Sequence, residues 1–112
     1  MKSHENMTAR QEALAERNLC VALAALKSPE EVRAFLRDLC TPAEIQAMAD
    51  RWAVVEPLER AMPYREIHRL TGVSVTTIGR VARFLTCGNG GYATAARRLE
   101  AARTRASASP GA

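Results

Sequence analysis

Apolar residues recur along the chain at the three-and-four spacing of a helix, and no stretch alternates as a strand does. A first helix is predicted over Thr8–Leu26. Its front is charged, while its back is apolar nearly all round, at Leu19, Val21, Leu23 and Leu26. A helix apolar on more than one face needs cover on more than one side. A second helix begins at Ser28-Pro29-Glu30-Glu31: Ser28 caps, Pro29 takes the first turn and Glu31 bonds back to the cap. Its apolar positions are Val32, Phe35, Leu36 and Leu39. Thr41-Pro42-Ala43-Glu44 repeats the device for a third helix. That helix carries Ile45, Met48, Ala49, Trp52, Val55 and Leu58, with Trp52 read as a core or dimer contact. Pro57 lacks an N–H and clashes with the carbonyl of Ala53, which predicts a kink or an early end.

A short helix follows from Pro63 to Leu70 and closes at Thr71-Gly72, where glycine takes the left-handed turn. Ser74 caps the next, about Val75–Leu85. Ile67, Leu70, Val73, Ile78, Val81 and Leu85 would lock this pair at a steep angle, a helix–turn–helix over about 64–85. His68 sits where many such pairs want a small residue. The opposite face presents Ser74, Val75, Thr76, Gly79, Arg80 and Arg83. Hydroxyls there suit phosphates or bases, Val75 a thymine methyl, and arginine guanine or phosphate, while Gly79 permits close approach. Residues 86–92 form a glycine-rich connector without the strand, lysine or hydroxyl of a phosphate loop. A basic helix over Ala93–Arg105 follows, and Ala106–Ala112 (ASASPGA) has a disordered composition. One domain over residues 1–106 and a tail over 107–112 result.

Charge sharpens this picture. Residues 1–62 hold eight Lys/Arg and ten Asp/Glu (net −2), and residues 63–112 hold eight Arg and two Glu (net +6). A basic back half points to an anionic partner. Aromatics make up only 4% and alanine is abundant, so a second copy is a natural way to complete the core. Cys20, Cys40 and Cys87 are far apart and odd in number, against zinc or a disulfide framework and in keeping with reduced thiols in the cytoplasm. The run Leu19–Leu26 lacks the basic start of a signal peptide and is too short to span a membrane. His4 and His68 stand at no metal-ligand spacing, and no nucleophile–base constellation emerges, so no enzyme, metal or cofactor is expected.

The segments LCTPAEIQAMADRW, MPYREIHRLTGVSVTTIGRVARFL and CGNGGY together resemble the Trp-repressor superfamily, and within it the YerC/YecD-like branch. The resemblance covers roughly residues 20–100. It implies an all-α, intertwined helical homodimer, a DNA-binding transcriptional regulator of repressor type acting on a twofold operator in double-stranded DNA. By resemblance, Arg65, His68, Val75, Thr76 and Gly79 fall at base-contacting positions, and Thr77 and Arg51 near phosphates. Thr41, Arg51 and Arg80 match positions of the corepressor site, where two arginines sandwich an indole. The glycine and serine expected one and four residues after the second arginine are here Val81 and Phe84. Such bulk would fill the indole space, so L-tryptophan is not expected to bind. Pro57 also departs from the family's helix interior. Two other readings remain: a helical dimer that docks a protein partner, and a regulator with a different small-molecule effector between Arg51 and Arg80.

Overall fold

The computed structural model describes residues 8–108, and every regular element among them is a helix. The order is α1 (Ala9–Ala25), α2 (Pro29–Leu39), α3 (Pro42–Ala53), α4 (Val55–Glu59), α5 (Tyr64–Thr71), α6 (Val75–Cys87) and α7 (Gly91–Ala108). The all-α class expected from the sequence is the one observed. His4 and residues 109–112 lie outside the described residues. The helix α7 starts two residues earlier than expected and runs two residues into the segment assigned to the tail. The described residues form two compact units, one ending at Pro42 and one starting at Ala43.

In the first unit, α1 starts on a reciprocal cap. Thr8 Oγ1 accepts from the Gln11 N–H at 3.1 Å, and Gln11 Oε1 accepts from the Thr8 N–H at 2.8 Å. Ser28 caps α2 as expected, accepting from the Glu31 N–H at 3.2 Å. Glu31 differs from expectation: its carboxylate accepts from the Lys27 N–H, one residue before the cap. No residue of α1 or α2 is buried, and Leu14, Val21 and Leu39 are each more than half exposed.

The second unit has a small dense core of Val54, Val55, Ile67, Val73, Ile78 and Val81, flanked by Leu58, Met62, Leu85, Tyr92 and Ala96. The break foreseen at Pro57 falls three residues earlier, at Val54, whose backbone lies at φ −95°, ψ −3°. Pro57 then becomes the third residue of α4, within the first turn, where an N–H has no intrahelical partner to lose. The proline is accommodated because the helix restarts just ahead of it. The helix α4 ends in a paired closure: the Met62 N–H donates to the Pro57 carbonyl and the Ala61 N–H to the Leu58 carbonyl. Ala61 occupies the left-handed position of that closure at φ 60°. Trp52 is 40% exposed and tilts against Tyr92, so it stands beside the core and not within it.

Candidate nucleic-acid interface

Three residues, Gly72 to Ser74, join α5 to α6. Gly72 takes φ 75°, a conformation glycine adopts without steric penalty, and its N–H donates to the His68 carbonyl at 2.8 Å. Thr71 ties the end of α5 to the turn. Its hydroxyl donates to the Ile67 carbonyl at 2.7 Å and accepts from the Val73 N–H at 3.1 Å. The His68 ring reaches across the turn, with Nδ1 2.7 Å from the Val73 carbonyl oxygen. A carbonyl only accepts, so Nδ1 carries the proton in this contact. His68 is therefore no obstacle between the helices, because it lies exposed at their edge.

Below the turn, Ile67, Val73, Ile78 and Val81 are all buried. Leu70, expected beside Ile67, is instead 57% exposed. The buried side of α5 runs from Ile67 toward Thr71, one turn on, and Leu70 lies off that line. Val81 likewise differs from the pocket role assigned to it. It is 1% exposed and packs in the core, one turn beyond Ile78 and on the same face.

The core-facing row of α6 fixes what its opposite side displays. Thr76 and Arg83, two turns apart, run down the middle of the outer face, with Gly79 and Arg80 beside them; Thr76, Arg80 and Arg83 are exposed. Val75 is 52% exposed at the first turn. Ser74 is engaged in the cap: its Oγ accepts from the Thr77 N–H at 3.2 Å, and its hydroxyl donates to Thr77 Oγ1 at 3.0 Å. Gly79 is half-buried beneath Tyr64, and a Cβ there would stand 3.9 Å from the Tyr64 ring. On α5, Arg65 and His68 lie exposed on one stripe. Tyr64 and Thr71 were not singled out from the sequence, although a threonine one turn after Ile67 at a helix end is a recognisable back-bonding position.

Arg69 shares the stripe of Arg65 and His68 but is held by Glu66. Its Nε donates to Glu66 Oε2 at 3.1 Å, and its Nη2 donates to Oε1. That hydrogen bonding holds the Glu66 carboxyl below the ordinary glutamate range and raises the Arg69 guanidinium further.

Arg51 and Arg80 come together in a cleft of about 400 Å³ whose other lining residues are Phe84, Asn89, Gly91 and Tyr92. The Arg80 guanidinium lies 5.5 Å from the centre of the Phe84 ring, a cation–π contact. Arg51 thus faces this cleft together with Arg80. Thr41, matched to the same site, belongs to the first unit and is not among the lining residues. The connector residues Asn89 and Tyr92 were not foreseen as part of it.

The family model described as Trp repressor protein matches residues 15–100. The Bacillus subtilis protein YerC, described as uncharacterized, is 40% identical over 86 residues, 77% of this chain and 83% of that protein. A TrpR-like protein from Eubacterium eligens superposes with a TM-score of 0.68 at 34% identity, covering 88% of this chain and 96% of that one. A candidate Trp repressor from Staphylococcus aureus gives a TM-score of 0.72 at 33% identity, covering 89% and 96%. Family model, relative and crystal structures agree with the motifs on α3, α5 and α6: the chain belongs to the Trp repressor family, on its YerC-like side.

Proposed function

We propose that this protein is a transcriptional regulator of repressor type that binds double-stranded DNA as a homodimer, with α6 in the major groove and no tryptophan corepressor. The observation that carries the reading is the α5–α6 pair. Its inner side is a packed apolar core, and its exposed residues include Thr76, Arg80 and Arg83 on α6 and Arg65 and His68 on α5. A rigid pair with hydroxyls and guanidinium groups on its open face suits base edges and phosphates together. Thr76, mid-face, is assigned to base reading and Arg83 to phosphate. Val75 and Gly79 extend the reading face, Ser74 and Thr77 fix its first turn, and Arg51 is left to the cleft. The homodimer accounts for helices α1 and α2, in which no residue is fully buried.

Selection from random duplexes at moderate salt, followed by sequencing, tests the reading. A twofold-symmetric motif should be enriched; absence of any enriched sequence would overturn it. Thr76→Ala should change the preferred sequence, whereas Arg83→Ala should weaken all sequences alike and flatten the salt dependence by roughly one unit in log–log slope.

Exclusion of tryptophan rests on Phe84 alone, since Val81 is in the core. Stacked on Phe84, Arg80 has already given up a face that an indole would need. Calorimetric titration with L-tryptophan should give no heat of binding; micromolar affinity would refute this part. A different effector in the cleft, a small anion, is the second reading, favoured by the two guanidinium groups that line it.

A further inference from the structure

We infer that Glu66 withholds Arg69 from the phosphate backbone and thereby sets how strongly this surface binds DNA irrespective of sequence. The inference rests on the DNA-binding reading above. Between Pro63 and Cys87 the chain has four arginines, Arg65, Arg69, Arg80 and Arg83, and a single carboxylate, Glu66. That carboxylate stands beside the reading stripe of α5 and grips Arg69 through both Nε and Nη2. The two-point grip matters: it fixes the guanidinium plane as well as cancelling its charge. Arg69 lies one turn from Arg65 and on its side of the helix, so a released side chain could reach the same phosphates. Both partners are well exposed, at 66% and 42%, so the pair contributes little to holding the fold. Its effect falls on the surface potential that an anionic partner meets.

The consequence is a trade between affinity and discrimination. Every phosphate contact by a mobile cation adds binding to all duplexes equally and carries no sequence information. Keeping Arg69 neutralised lowers that uniform part and leaves the base contacts of α6 a larger share of the total.

The test measures binding of the full chain to a random-sequence duplex over a range of salt concentrations. Glu66→Gln should tighten binding at low salt severalfold and steepen the log–log salt slope by about 0.9, the release expected for one added phosphate contact. Arg69→Ala should leave the slope of the wild type unchanged, because that charge is already engaged. The double variant Glu66→Gln/Arg69→Ala should return to the wild-type slope. Glu100→Gln is the charge-matched control: it removes a carboxylate that pairs with Arg103 on α7, in a cleft lined by α3, α4 and α7 and by no residue of α5 or α6, and should not change the slope. Equal slopes in Glu66→Gln and wild type overturn the inference. So does a steeper slope that survives in the double variant, since loss of repulsion by Glu66 alone would then explain it. If the wild type itself binds no duplex at low salt, the DNA-binding reading fails and takes this inference with it. A wild type that binds while Glu66→Gln changes nothing sinks the inference alone.

Discussion

Two residues hold left-handed backbone for the same purpose with different side chains. Gly72 ends α5 at φ 75° and Ala61 ends α4 at φ 60°. Only the second meets the penalty that a Cβ brings in this region, about 1–2 kcal/mol. Ala61→Gly should therefore stabilise the protein, by up to about 1 kcal/mol once the extra freedom of glycine in the unfolded chain is subtracted. Gly72→Ala should do the reverse by a similar amount; urea unfolding curves measure both. Glu66 offers a second check at this scale. Its carboxyl is held below the ordinary glutamate range, chiefly by the hydrogen bond from Arg69. A lowered folded value means that its contribution is present above the unfolded value and is lost as pH falls through the folded one. Carboxyl resonances followed by NMR should show Glu66 titrating below its ordinary range, and Arg69→Ala should restore it.

At the scale of elements, caps and breaks decide where the functional helices begin. Ser74→Ala removes the oxygen that accepts from the Thr77 N–H and should cost about 1 kcal/mol, fraying the turn that carries Val75 and Thr76. Pro57→Ala should change stability by less than about 1 kcal/mol, because the proline already occupies a first turn. Were the proline mid-helix, removing it would instead raise stability by about 3 kcal/mol, so thermal unfolding of Pro57→Ala separates the cases. The caps at Ser28 and Ser74 and the glycine turn at Gly72 were legible because they depend on residues a few positions apart. Pro57 was misplaced by three residues for the opposite reason. The restart at Val54 is fixed by burial of Val54 and Val55 among residues distant in the chain. Leu70 was misassigned similarly: spacing gives the faces of a helix, and tertiary packing selects which edge of a face is covered. For Val81 the spacing was right, and only the pocket role implied by the resemblance differs. The reading stripe of α6 was recoverable because the core-facing residues Ile78, Val81 and the partly buried Leu85 recur so regularly. The grip of Glu66 on Arg69 was also available from its spacing of three.

For the whole molecule, the uncovered apolar residues of α1 and α2 lead to an expectation about assembly. Sedimentation should give two copies per particle at micromolar concentration, with a melting temperature that rises with protein concentration. Leu19→Glu should shift the particle toward one copy and abolish that rise; a wild type that stays a single copy throughout would contradict the dimer. The asymmetry of charge acts at this scale as well, because net +6 over residues 63–112 attracts anions while the acidic front half does not. One contact gives the molecule its own optical reporter. Trp52 is the sole tryptophan, and its ring centre lies 6.4 Å from that of Tyr92, joining the end of α3 to the start of α7. At that separation tyrosine emission is drained into the indole, so docking of α7 is written into the fluorescence of the unlabelled chain. Loosening that helix should brighten the tyrosine band before the rest of the fold gives way.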